Sequence, residues 1–208
     1  MQYIFEYKDY TLIKIETTGQ DYSENEIIEL AAIRIRDNQK AEVFQSFVKP
    51  QNKIEQSITD ANGITNEMVE SAGSINEVLP KFLEFVGSDT VVGHNVVFDM
   101  KFIETKIHEL SIVNTRFANS YIETLGFTNI HFCHLPNQKL PTLTEHLEIP
   151  STISHRSLAD CEAVHELVKI LCKYEREAVT IRAKKEKKLY AFVAVCISIL
   201  LFMYFTTG

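Results

Sequence analysis

With 208 residues, 45% of them hydrophobic and 24% charged, the chain has ordinary globular usage and the length for one domain plus an appendage. Its net charge of −7 is uneven: residues 175–188 hold six Lys/Arg against three Glu, which leaves 15 Lys/Arg and 25 Asp/Glu, a net of −10, for residues 1–174. A domain this acidic excludes nucleic-acid binding through a broad basic field, so any such contact is local, made by backbone donors, a few side chains or bound cations.

Tyr10 to Ile15 (YTLIKI) is rich in β-branched and aromatic residues, ends at the turn-forming Thr17-Thr18-Gly19, and predicts a strand. Ile27 to Ile35 predicts a second, and the alternating Ala41 to Val48 a half-buried third. Short polar connections imply an antiparallel meander, which Pro50 ends. Ser74 to Val86 then carries Ile75, Val78, Leu79, Phe82, Leu83 and Val86 at helical spacing. Thr90 to Val92 predicts a brief strand, Phe98 to Leu110 a helix, and Tyr121 to Leu125 another strand. His131 to Leu140 reads as a loop and Thr142 to Leu147 as a short helix. From Ser157 an amphipathic helix (Leu158, Val164, Leu167, Val168, Leu171) leads into the basic stretch. The order βββ-α-β-α-β-α-α, antiparallel at its start, implies an α/β fold, a mixed sheet flanked by helices.

From Leu189 to Phe205 the chain reads LYAFVAVCISILLFMYF, with Ser198 its only hydrophilic residue. As a helix it would extend about 25 Å, the short end of the membrane-spanning range. Lys184, Lys185, Lys187 and Lys188 precede it and would hold residues 1–188 on the cytoplasmic face. A buried core helix is the competing reading, but such a helix shows a polar face and this run shows none. The expectation is a domain over 1–174, a basic juxtamembrane linker over 175–188 facing anionic lipid, and a single-pass transmembrane tail anchor over 189–205. The first twenty residues lack the apolar run of a signal peptide. Cys133, Cys161, Cys172 and Cys196 show no paired spacing and are expected as free thiols. His131-Phe132-Cys133-His134 holds metal-ligand types, but no second cluster completes four ligands, and it reads as a polar loop.

Three other places gather acids, histidine and asparagine off the apolar pattern. Glu16 closes the first strand, Asp99 opens a helix after GHNVVFD, and His155 and Asp160 stand five apart in HRSLAD at the start of the last helix. With the first strand central, both helix starts converge on its end. Clustered carboxylates of this kind bind Mg²⁺ or Mn²⁺, and a nearby loop histidine suits a general base.

Here the residues resemble a known family. IETTG, IIELAAIRI, SITDANGIT, VVGHNVVFDMKFI and HRSLADCEAV, in this order over about residues 10 to 172, are similar to the motifs of the DEDDh 3′-5′ exonucleases. The resemblance implies a ribonuclease H-like fold and removal of nucleotides from 3′ ends of single-stranded DNA or RNA. It also implies two Mg²⁺ or Mn²⁺ ions held by four carboxylates, with one histidine deprotonating the attacking water. By that resemblance Glu16, Asp99 and Asp160 are catalytic metal ligands and His155 is the general base. Thr17, Thr18 and Asn95 bind the substrate end, and Asn62 stands in the cleft where the family often has histidine.

Lys14 departs from the pattern, because the family has aspartate two residues before the glutamate, as the ligand bridging both metals. A cation there opposes metal binding. In one reading Lys14 pairs with Glu16, with Asp160 as a further partner in reserve, and the domain is a pseudo-exonuclease. In the other its ammonium replaces one metal, and Glu16, Asp99 and Asp160 retain a single ion. Three functions stay open: an exonuclease of altered metal dependence, a module that binds 3′ ends without cutting, and a protein-interaction scaffold using the fold alone.

Overall fold

The computed structural model describes residues 4–113, 117–150 and 156–206, with side chains through residue 189, that of residue 5 apart. Its centre is a five-stranded mixed sheet in the order β3-β2-β1-β4-β5. The strands are β1 (Tyr10–Thr17), β2 (Ile27–Arg36), β3 (Gln39–Phe47), β4 (Thr90–Gly93) and β5 (Ser120–Glu123). The first three run antiparallel, whereas β4 pairs parallel with β1 and with β5. The expected α/β arrangement and the central place of the first strand are both present.

β1 is central because both of its faces are apolar. Ile13 and Ile15 pack on α3 (Ile75–Val86) and α4 (Val96–Glu109), meeting Leu79, Phe82, Phe102 and Ile103. Tyr10 and Leu12 face the other layer, built by α5 (Thr124–His131), α6 (Leu140–His146) and α7 (Ser157–Thr206). β2 is buried from Ile27 to Ile33, as a strand covered on both faces must be. β3 is an edge strand with only Phe44, Ser46 and Phe47 partly buried, so the expected half-buried alternation is weaker than its sequence implies.

Two helices, α1 (Gln56–Asn62) and α2 (Asn66–Val69), fill a stretch without a predicted element. They cover Ile28 with Ile54, Ile64 and Val69, a cluster too small to write an apolar stripe into the sequence. The strand expected to reach Leu125 stops at Glu123, whose carboxylate accepts the Leu125 N–H and caps α5. α5 then ends at His131, whose Nε2 lies 2.6 Å from Glu175 Oε1 on α7.

The transmembrane helix expected over 189–205, with its membrane anchoring, juxtamembrane linker and cytoplasmic-face location, is corrected. Among the described residues no helix is long and apolar enough to cross a membrane. The apolar run is the end of one continuous 50-residue helix, α7, rather than an element of its own. Residues 180–189 of that helix are exposed and mix Lys and Arg with Glu, whereas a span needs about 20 consecutive apolar residues. Cys133, Cys161 and Cys172 are free thiols, and the side chain of Cys196 lies outside the described residues.

Candidate active site

Side chains alternate along a strand, so Lys14 and Glu16 leave the same face of β1. The antiparallel register places Glu16 opposite Glu29 of β2, and a bulge between Glu16 and Thr17 ends the regular ladder. Beyond it the Thr17-Thr18-Gly19 turn closes on itself. The Thr17 hydroxyl donates to the Gly19 carbonyl (2.5 Å), and the Glu26 N–H donates to Thr18 Oγ1 (2.9 Å).

The second motif reaches the same place because β4 lies beside β1 and turns at once into α4. A Cβ on Gly93 would stand 2.8 Å from Val96 Cβ, so glycine is what lets the helix start so close to the strand. Asn95 makes this turn in the left-handed region (φ 62°), is exposed, and donates its N–H to Glu123 Oε1 at 2.8 Å. The preceding His94 puts Nε2 2.6 Å from the Gln138 carbonyl and Nδ1 2.9 Å from Thr124 Oγ1. A carbonyl only accepts, so Nε2 carries the proton. Burial lowers the His94 pKa and keeps the ring neutral.

Asp99, in the first turn of α4, is 1% exposed. Its Oδ1 accepts from the Ile15 N–H (3.2 Å) and from Lys14 Nζ (3.3 Å), while Oδ2 is buried without a partner. Lys14 also donates to the Ile15 carbonyl at 3.0 Å. The ammonium therefore pairs with Asp99, not with Glu16 as the sequence suggested. The reason is desolvation: Glu16 is only half-buried, and an uncompensated carboxylate at Asp99 would be the costlier one.

The charges respond to one another. Burial would lower the Lys14 pKa, but Asp99, Glu16 and Asp160 outweigh it and hold the ammonium above its ordinary value. Burial raises Asp99 to about 6 against the pull of Lys14. It raises Glu16 to about 7, again opposed by Lys14 and reinforced by Asp160, Glu29 and Asp99. Both carboxyls therefore hold their protons to a higher pH than ordinary carboxylates do.

Asp160 enters from α7, its N–H donating to the Arg156 carbonyl at 3.1 Å in the first turn. Lys14, Glu16, Asp99 and Asp160 thus meet at the end of β1, from three chain segments. His155 lies outside the described residues. Asn62 is turned into its own helix end, where its buried Oδ1 accepts the Ile64 N–H.

Sequence reasoning missed two residues here, Glu29 and Arg156. Glu29 is 0% exposed and takes Arg156 as its cation at 3.0 Å. The signal was a lone carboxylate inside the apolar IIELAAI, since a buried charge requires a partner.

The cluster does not fit the family's two divalent ions. Among the described residues no three His, Cys, Asp or Glu are arranged to hold a metal. A divalent ion about 4 Å from the Lys14 ammonium would be repelled by roughly 8 kcal/mol at an effective dielectric near 20.

Residues 12–168 match the sequence profile of the exonuclease family. The chain belongs to that family. Its DEDDh character agrees with DNA polymerase III of the PolC type from Caldanaerobacter subterraneus, which is 37% identical over 168 residues, 80% of this chain. The match spans only 12% of that polymerase's length. Among solved structures, the zinc-ion-bound complex of E. coli exonuclease I with single-stranded DNA superimposes with a TM-score of 0.71 at 18% identity, over 81% of this chain and 41% of that one. Exonuclease X in complex with 5′-overhanging duplex DNA gives 0.61 at 20% identity, over 79% of this chain and 92% of that one. The fold shared with these exonucleases is the ribonuclease H-like one.

Proposed function

We propose that residues 1–174 form an exonuclease-family domain that binds 3′ ends of single-stranded DNA or RNA, with hydrolysis impaired by Lys14. The observation that carries this reading is the Lys14–Asp99 pair, a built-in cation at the centre of the carboxylate cluster. Lys14 takes the place of the aspartate that bridges two metals in the family, and one substitution both removes a ligand and adds the opposing charge. Support for nucleic-acid recognition comes from the family and from exonuclease I and exonuclease X, whose structures hold single-stranded and overhanging DNA.

In this reading Thr17 and Thr18 offer the turn after β1 to the terminal nucleotide and the exposed Asn95 lines the approach, while Asn62, buried against the Ile64 N–H, serves only to close its own helix end. Glu16, Asp99 and Asp160 keep the family's ligand positions, and His155 keeps that of the general base. Lys14 neutralises part of their charge without a metal, which lets a phosphate approach an otherwise acidic domain. A second reading, a catalytically inactive pseudo-exonuclease used as a binding or interaction module, is favoured by the absence of a three-ligand group among the described residues.

The deciding experiment follows a 5′-labelled single-stranded oligonucleotide with Mg²⁺ or Mn²⁺. It compares the natural chain, Lys14→Asp and His155→Ala. Binding without degradation by the natural chain, and cutting by Lys14→Asp, is the expected pattern. Degradation by the natural chain that His155→Ala abolishes would refute impairment. Failure of every variant to bind would leave the scaffold role.

A further inference from the structure

We infer that Glu29 and Arg156 are positioning residues for the site, a clamp by which a strand carboxylate caps a helix that begins 128 residues away and sets Asp160 against the end of β1. The consequence for 3′-end binding rests on the reading above; the positioning itself does not.

Every polar atom of Glu29 is used. Oε1 accepts from Gln45 Nε2 (2.9 Å) and from Arg156 Nη2 (3.0 Å) and Nε (3.3 Å). Oε2 accepts the backbone N–H of Ser157 at 3.1 Å. That N–H is one of the donors that the start of a helix leaves without an internal partner. The carboxylate also lies at the positive end of the helix dipole. Glu29 therefore does for α7 what a capping side chain does for its own helix, but from the sheet.

Arg156 completes the link. Its guanidinium binds Glu29 and lies 4.7 Å from the centroid of the Phe47 ring, so it is held in one orientation between β2 and β3. Its carbonyl accepts the Asp160 N–H, one turn into the helix. Side chain and main chain of one residue thus tie Asp160 to Glu29. Glu29 in turn stands opposite Glu16 in the β1–β2 ladder. The spacing of Glu16 and Asp160, which enter from different elements, is set through this chain of contacts. An ammonium cannot reproduce the two-nitrogen contact, so lysine should restore the charge without the full geometry.

The test compares the full chain with Arg156→Met, Arg156→Lys and Glu29→Gln, by amide hydrogen exchange and by affinity for a single-stranded DNA oligonucleotide. In Arg156→Met and Glu29→Gln, exchange at Ser157 to Cys161 should rise at least ten-fold more than at the β4 amides. Oligonucleotide affinity should fall at least five-fold, with Arg156→Lys intermediate in both. Exchange that rises evenly through the sheet, or does not change at the helix start, overturns the clamp. Variants that exchange faster locally but bind as tightly as the natural chain overturn its role at the site. A natural chain that binds no oligonucleotide, with the exchange pattern as expected, sinks the 3′-end reading and leaves the clamp standing.

Discussion

Glu29 and Asp99 invite comparison, because both are buried carboxylates, both are ion-paired, and both join a central strand to the first turn of a helix. Glu29 spends both oxygens on four donors from Gln45, Arg156 and Ser157. Asp99 gives Oδ1 to Lys14 and Ile15 and leaves Oδ2 bare. Full satisfaction is what a buried carboxylate needs in order to serve the fold. A bare oxygen beside a lysine marks a place where the fold has been left incomplete, and in the function proposed above that place is the reaction centre.

The sharpest way to break the contrast is stability. Glu29→Ala strips the partly buried Arg156 of its anion and the start of α7 of its cap, and should cost about 3 kcal/mol in chemical denaturation. Next in size is the response to metal. Lys14→Asp should gain about 2.7 kcal/mol of thermal stability when Mn²⁺ reaches 100 times its dissociation constant. The natural chain should show no such shift in the same scan. Asp99→Asn, which removes one charge from a carboxylate already half unsatisfied, should cost only about 1–2 kcal/mol in urea. A cost equal to that of Glu29→Ala would erase the distinction.

The smallest effect is a pH dependence. Glu16 titrates at about 7 in the folded domain against an ordinary 4.5, so between these values the folded state binds more protons than the unfolded one. Stability therefore falls as pH rises through that window and levels off above it. With allowance for the half-exposed side chain, the Glu16 share of the loss should be about 1 kcal/mol, beside a contribution of the same sign from Asp99, which is also raised and which Glu16→Gln leaves in place. Melting curves from pH 4.5 to 8 in the presence of a chelator, for the natural chain and Glu16→Gln, should show the slope flatten in the variant. An unchanged slope would place the titrating group elsewhere.

Much of this molecule can be read before it is folded. The three-strand meander writes itself in β-branched runs, and α3 shows its buried face at regular spacing. Glu16, Asp99 and Asp160 are legible together because one ends a strand and two open helices, the places where a mixed sheet gathers polar groups. α5 was hidden because its fully buried side chains include Thr124 and Thr128, which look like loop residues in a sequence. The partner of Lys14 was hidden because Asp99 lies 85 residues away and the choice depends on relative desolvation, which no pattern records. The C-terminal run misled for a related reason: composition suggested a separate spanning element, while the backbone continues one helix without a break.

That unbroken helix gives the molecule a built-in axle. Asp160 sits in its first turn, and the helix continues to Thr206, roughly 70 Å further along the axis. Each residue added between the two ends would turn the far end by about 100° relative to the site. An insertion of seven residues, near two full turns, would preserve the alignment within about 20°, whereas an insertion of two would face the far end the opposite way. The length of α7 is therefore an angular setting between the turn that carries Asp160 and the distal end of the helix.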